Sequence, residues 1–335
     1  METVSLEVVL FFRKAFSGQF SIEQVFNTLL PHFPSAVKNY RLSQASKSLV
    51  PRLRNGLEAR NNQGAINHIT GDVTYIAPFL DGNRTVLTFH DFDFIKRSSG
   101  LKRWLLFFFW VYWPVRHVKY ITTISEATKA DLLALMQVAP EKIRVIPNPL
   151  TLVDKLVSPA TKNNTKPVIL HIGTKANKNL ERLIPALAGL DIHLEIVGQL
   201  KPGQTALLQQ YQITYQNSWN ISKEALIQKY KQADLLTFVS TLEGFGLPIV
   251  EAQALGCPVV TSNCSSMPEV AGSAACLVDP FSTDSIRAGI QRVMDNTAYR
   301  EQLIAAGYEN VKRFEPAHIA QQYWALYQEV KRANS

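Results

Sequence analysis

The chain has 335 residues, 46% of them hydrophobic and 19% charged, with a net charge of +8. That length exceeds one ordinary core and points to two domains, and the composition excludes a disordered or fibrous protein. The positive balance favours an anionic partner, a phosphorylated small molecule or a membrane surface ahead of nucleic acid, for which no RRM, zinc-finger or helix-turn-helix pattern is present.

The opening METVSLEVVLFF has acidic residues and no basic leader, so it reads as a first strand and not as a signal peptide. Further strand candidates follow in the first half: INHI, TVLTFH, YITTIS and KIRVIPN. Helical patterns lie between them at Ser21 to Leu30, Leu101 to Val115 and Ser125 to Met136. Ser21 with Gln24 and Ser125 with Thr128 mark helix starts, the first as a capping box. Pro147, Pro149 and the polar run SPATKNNTKP then break the pattern. A second series of strands follows: PVILHIG, LEIVG, ITYQN, DLLTFVS, PVVTSN and AACLVDP, with a closing helix in PAHIAQQYWALYQEVKRA. Short apolar runs alternating with helices predict α/β architecture in both halves. The expected division is a Rossmann-like domain over residues 1–150, a linker over 151–166, a second Rossmann-like domain over 167–314, and a terminal helix over 315–335 packing back toward the first domain. Two doubly wound domains facing one another would bring their strand C-termini to a shared cleft.

Within EGFGLPIVEAQALGCP, Gly244 and Gly246 permit backbone conformations closed to other residues, and Pro248 suits the start of a helix. The stretch therefore reads as a loop entering a helix whose N-terminus can bind an anion. Glu243 falls in the loop, and Glu251 in the first turn of an otherwise apolar helix, where a carboxylate is costly unless paired. A carboxylate accepts two hydroxyl hydrogens at once, as a vicinal diol offers them. Two carboxylates flanking an anion site suit a nucleotide sugar. The plainer reading has Glu251 complementing the helix dipole and Glu243 solvated. In HIGTKANKN, Lys175 and Lys178 are either phosphate donors or a solvated loop.

In the first half, Gly18 lies in a turn after the first strand, and HITGD places His68, Thr70 and Asp72 after another. FHDFD places His90, Asp91 and Asp93 after a third, where Asp-x-Asp could instead hold a metal. Cys257, Cys264 and Cys276 are odd in number and lack metal-ligand spacing, as expected of reduced thiols in a cytoplasmic protein. KRSSGLKRWLLFFFWVYWPVRHVK brackets an aromatic helix with Lys96, Arg97, Lys102, Arg103, Arg116 and Lys119. It is too short to span a bilayer. It suits an interfacial helix on anionic lipid, or a core helix trimmed with charge.

EGFGLPIVEAQALGCPVV with its E-x7-E spacing, then MPEVAG and AACLVDP, preceded by HIGTKANKNLERLIPAL, resembles the family-4 retaining glycosyltransferases of GT-B fold. The likeness is strong over residues 165–330 and weaker in the first half, through HITGD, FHD and ISEATKADL. It implies a hexose moved from a UDP- or GDP-linked donor to a sugar or lipid-linked glycan, in cell-surface polysaccharide or glycolipid synthesis. The reaction would need no metal and no cofactor beyond that substrate. By the same resemblance Glu251 holds the donor ribose, Glu243 and His90 lie at the reacting sugar, and Lys178 meets the diphosphate. The backbone of Gly244, Phe245, Gly246 and Leu247 approaches the donor, Gly173 and Thr174 also bind it, and Gly18, His68, Thr70, Asp72 and Asp91 lie on the acceptor side. Asn177 stands where many members carry arginine, and Lys175 is offered in its place. The expected setting is cytoplasmic, with the inner face of the plasma membrane as a candidate surface. A nucleotide-sugar epimerase of the same fold and a non-catalytic sugar-nucleotide-binding subunit at the membrane are the competing readings. A dinucleotide oxidoreductase is disfavoured, since no G-x-G-x-x-G follows a strand.

Overall fold

The computed structural model describes residues 6–14, 21–46, 48–152 and 165–335. The chain forms two compact units, Met1–Pro149 with Glu315–Ser335, and Leu150–Phe314. Strands β1 (Val8–Phe12), β2 (Val37–Arg41), β3 (Ile66–Ile69), β4 (Thr85–Phe89), β5 (Tyr120–Thr123) and β6 (Ile143–Val145) build the first unit. They pair in parallel in the order β2-β1-β3-β4-β5-β6. VVLFF, INHI, TVLTF and YITT are buried along their whole length, which is why these strands read as unbroken runs and not as alternation.

The second unit carries β7 (Val168–Ile172), β8 (His193–Val197), β9 (Tyr215–Ser218), β10 (Leu235–Phe238), β11 (Val259–Ser262) and β12 (Cys276–Val278). Their order is β12-β11-β10-β7-β8-β9, again all parallel. In each sheet the order reverses once, between β1 and β3 and between β7 and β10. Crevices at such reversals, beyond the strand C-termini, are where doubly wound sheets bind ligands.

Each strand expected from the sequence is present: β1 keeps VVLFF of the opening run, most other ends are trimmed by one to three residues, and β8 and β9 each reach one residue beyond the expected run. Several elements lie where no pattern was visible, among them the turn Thr74–Phe79, the short helix Asp93–Lys96 and two longer or more regular ones. β2 (VKNYR) is a half-exposed edge strand, and the helix Leu49–Asn61 turns its leucines outward. The segment expected to be one helix from Leu101 to Val115 is also more complex. It runs as α-helix Gly100–Phe107, a π-turn over Phe108–Tyr112 and α-helix Trp113–His117. Pro114 explains the interruption, because it has no N–H for the Trp110 carbonyl four residues back. The Thr74 hydroxyl donates to that carbonyl instead, at 2.6 Å.

The chain enters the second unit at Leu150, whose N–H donates to the Phe314 carbonyl at 2.8 Å. After Phe314 it returns to the first unit, where the helix Pro316–Arg332 packs on the helix Ser21–Leu29 and on β3. Gly18, and Ser158 to Asn164 of the polar run, lie outside the described residues.

Candidate functional site

In the second unit, the loops leaving β7 and β10 meet at the sheet reversal. Gly173 ends β7 at φ +96°, and a side chain there would collide with the Lys178 stem at 2.7 Å. A short turn, Ala176–Lys178, then raises Lys178 between the loops. Its ammonium lies 2.7 Å from Glu243 Oε1 and 4.5 Å above the Phe238 ring. Asn177, the departure from the family pattern, stitches the loops together. Its side-chain amide donates to the Leu242 carbonyl at 3.1 Å and to Glu243 Oε1 at 3.3 Å, and its carbonyl accepts from the Thr241 N–H at 2.8 Å. Lys175 is exposed beside them.

Glu243 is held from beneath as well. Ser265 Oγ donates to its carbonyl at 2.7 Å, and Ser266 Oγ donates to the carbonyls of Glu243 and Phe245 at 3.0 and 2.8 Å. Phe245 buries its ring edge-on against Phe314, so only its backbone remains for a ligand. Gly246, at φ +108°, turns the chain into the helix Leu247–Ala254. Glu251 is the fifth residue of that helix, in its second turn and not in the first as the sequence suggested. It does not act as a dipole cap. It is 8% exposed, and its Oε2 accepts the Tyr230 hydroxyl at 2.8 Å. Burial pushes its carboxyl above the usual range, against the opposing pull of Tyr230, Lys223 and Lys178. Oε1 is left for other hydroxyls. Thr174 is corrected in one respect. Its hydroxyl is committed to the Gln199 carbonyl at 2.6 Å, which leaves only its backbone for a ligand.

In the first unit the reversal brings together the ends of β1, β3 and β4. Arg13 forms ion pairs with Glu23, at 3.0 Å, and with Asp72. His90 Nε2–H donates to the Thr70 carbonyl at 2.7 Å, so Nδ1 of the neutral ring remains an acceptor. Burial lowers the His90 pKa and keeps the ring neutral, although Asp72 and Asp91 pull the other way. Gly71 admits the ring, since a Cβ there would lie 2.7 Å from His90 Cδ2. Asp72 and Asp91 are exposed, and the Thr70 hydroxyl is spent on the Phe11 carbonyl at 2.9 Å.

His68 is a correction. It has no exposed surface, and its ring nitrogens are bonded to the hydroxyls of Tyr327 and Thr88, both at 2.7 Å. Period-two alternation along β3 turns the His68 ring into the layer beneath the terminal helix, so it anchors that helix and cannot touch an acceptor. Arg13, Tyr230, Ser265 and Ser266 were missed. The serines stand together in NCSSMP before a helix and carried a visible signal. Arg13 and Tyr230 lie far in sequence from the groups they hold and carried none. Among the described residues, no three of His, Cys, Asp and Glu gather as metal ligands would.

The aromatic segment is divided. Val111, Pro114 and Val115 are core, whereas Leu101, Trp104, Leu105, Tyr112 and Trp113 are exposed. No helix among the described residues is long and apolar enough to cross a membrane.

Two family models match the chain, Glycosyltransferase Family 4 over residues 8–152 and Glycosyl transferases group 1 over residues 154–310. An MMP alpha-(1->4)-mannosyltransferase of Mycolicibacterium hassiacum is 30% identical over 245 residues, 69% of this chain and 59% of that protein. O-antigen chain mannosyltransferase B of Escherichia coli is 40% identical over 94 residues, 28% of this chain and 25% of that one. The matched stretch thus covers less than two thirds of either relative. Among solved structures, sucrose-phosphate synthase of Thermosynechococcus elongatus superposes with a TM-score of 0.75 at 18% identity, over 98% of this chain and all of that one. HepE of Anabaena, solved in complex with UDP and glucose, gives 0.74 at 15% identity over 97% of this chain and 100% of that one. With both sheets, the E-x7-E loop and helix, and models that together match nearly its whole length, the chain belongs to the family-4 glycosyltransferases of GT-B fold.

Proposed function

We propose that the protein is a retaining, metal-independent hexosyltransferase. It moves a hexose from a nucleotide diphosphate sugar to a sugar or lipid-linked glycan in the synthesis of cell-surface polysaccharide or glycolipid. The observation that carries this reading is the gathering of Lys178, Glu243, Glu251 and the N-terminus of the helix Leu247–Ala254 at the reversal between β7 and β10. Glu251 Oε1 accepts the ribose hydroxyls. The helix end and Lys178 neutralise the diphosphate as charge develops on it, which lowers the barrier wherever the donors are already in position. An arriving diphosphate competes with Glu243 for the Lys178 ammonium and frees the carboxylate for sugar hydroxyls. The bond from the anomeric carbon to phosphate oxygen breaks, the acceptor oxygen bonds to that carbon on the same face, and the leaving phosphate takes the acceptor proton. His90, through Nδ1, accepts a hydroxyl of the reacting sugar. Two relatives are named as mannosyltransferases and one neighbour was solved with UDP and glucose, so GDP-mannose and UDP-glucose are the donors to try first.

The test is calorimetric titration with those donors and with GDP and UDP. Glu251→Ala is expected to weaken binding of whichever nucleotide the native protein holds by about 1–3 kcal/mol, the scale of a lost charged hydrogen bond. Unchanged affinity overturns the assignment. Turnover is expected to survive EDTA, and its abolition with rescue by magnesium or manganese would remove the metal-independent mechanism. For location, the exposed aromatics of Leu101 to Trp113 and their basic flanks support attachment to the inner face of the plasma membrane, near a lipid-linked acceptor.

A further inference from the structure

The helix Leu49–Asn61 is packed the wrong way round for a core element. Leu49, Leu53 and Leu57, one turn apart, are 74%, 52% and 47% exposed, while its packed face is Asn55, Gly56 and Ala59. Gly56 explains the orientation. A Cβ there would come within 2.5 Å of the Phe79 ring, so this face alone fits tightly onto the turn Thr74–Phe79. Opposite stand Leu101, Leu105 and Trp113 of the aromatic segment, also exposed. Between the two lies an open groove of about 700 Å³, floored by Phe79 and Phe109. That volume falls within the roughly 300–1,000 Å³ of small-ligand sites. Contiguous exposed apolar surface of this kind marks a binding face.

The rim is cationic. Arg52, over the Trp110 ring at 4.5 Å, and Lys102 both line the groove. From Phe94 to Ser125 there is no aspartate or glutamate, against six lysines and arginines. An apolar trough with basic residues and tryptophans at its edge is complementary to a molecule that joins a hydrocarbon chain to an anionic head, and such residues favour the bilayer interface.

We propose that this groove holds one hydrocarbon chain of an anionic membrane lipid, with its phosphate between Arg52 and Lys102. Leu49, Val50 and Trp104 on the flanking ridges then enter the headgroup region. This rests on the membrane attachment proposed above and adds to it a built, saturable lipid site that uses a helix outside the aromatic segment.

The experiment uses the full chain. Its probes are vesicles of phosphatidylcholine with and without phosphatidylglycerol, short-chain phosphatidylglycerol below its critical micelle concentration, and glycerol 3-phosphate. The expected results are sedimentation with anionic vesicles, saturable calorimetric binding of the monomeric lipid, and no competition from glycerol 3-phosphate. Leu53→Gln with Leu105→Gln, both at exposed positions, should weaken the monomeric lipid at least tenfold at an unchanged melting temperature. Should that pair lower the melting temperature, Lys102→Gln replaces it. That change should weaken the anionic lipid several-fold and leave short-chain phosphatidylcholine alone. Binding to anionic vesicles without binding of the monomeric lipid, or monomeric binding that neither substitution alters, overturns the groove and leaves membrane attachment standing. Absence of both, with self-association on sedimentation that Leu53→Gln and Leu105→Gln abolish, removes both and makes the groove an interface between copies.

Discussion

Glu251 and Tyr230 show what a hydroxyl does for a carboxylate that has lost most of its water. The Tyr230 ring is fully buried, and its own pKa is driven well above the ordinary value by burial and by Glu251, so it remains a donor at any working pH. Its hydrogen bond favours the ionised form of Glu251, against burial, which favours the neutral one. Nucleotide affinity should therefore begin to fall on the acid side at a higher pH than an ordinary carboxylate would give. Tyr230→Phe removes the stabilising donor and should move that limb higher still, with affinity best recovered at alkaline pH. Calorimetric dissociation constants over a pH series check it, and coincident native and variant limbs would detach Tyr230 from the site. Asn177 is another case at this scale. The arginine expected there would bring a charge, whereas the asparagine bridges Leu242 and Glu243 and fixes the loop on which the Lys178 pair depends. The sequence indicated which residues gather in this site but not how their side chains point. Glu243, Lys178 and Glu251 were legible because a loop motif is local. The Thr174 hydroxyl and the His68 ring were not, because strand geometry and packing set their direction.

At the scale of elements, legibility followed burial. Strands covered on both faces are apolar throughout and can be read directly, as in VVLFF and TVLTF. β2 at the sheet edge has only Val37 and Tyr40 to mark it, and no pattern emerges. The helix Leu49–Asn61 failed for a different reason. Its inward face is asparagine, glycine and alanine, so the apolar spacing that normally marks a core face marks the outward one. Gly56 tests this packing with a clear sign. In an exposed helix, glycine to alanine stabilises by about 0.5–1 kcal/mol. Here the added methyl meets the Phe79 ring, and overpacking typically costs about 1–3 kcal/mol. Gly56→Ala is expected to destabilise in urea denaturation, and Gly56→Ala with Phe79→Leu should recover part of the loss. Stabilisation by Gly56→Ala alone would mean that the helix is free to move off the Thr74–Phe79 turn, and that the groove walls are not rigid.

Across the whole molecule, each unit buries a neutral histidine in its central sheet. His68 on β3 sits in a buried chain of hydroxyls, Tyr327 to His68 to Thr88 to Thr122, which ties the terminal helix to the first sheet. His171 on β7 donates from Nδ1 to the Thr237 carbonyl at 3.1 Å, and its Nε2 has no partner. Burial lowers their pKa values from 6.5 to about 3 and about 4, because a charged ring would be stranded in each place. The sign of the consequence follows from proton counting. Below pH 6.5 the unfolded chain takes up a proton at each ring while the folded one does not, so the unfolded state binds more protons. The stability contributed by these rings is therefore complete above pH 6.5 and is lost progressively as the pH falls toward about 4 for His171 and about 3 for His68, at up to about 1.4 kcal/mol per pH unit for each histidine. Glu251, with its raised pKa, acts in the opposite sense, and Glu251→Gln provides the background that removes it. Urea denaturation at pH 7.5, 6.5 and 5.5 should show stability falling with acid. His171→Asn retains a donor for Thr237 and should flatten the slope of the transition belonging to Leu150–Phe314, while His68→Asn should flatten that of the unit holding the terminal helix. Both variants will start lower at pH 7.5, so the slope is the deciding quantity and the starting value is not. Slopes unchanged from the native protein would mean that the rings are protonated in place, and that the buried networks drawn around them are not the ones that hold the two sheets.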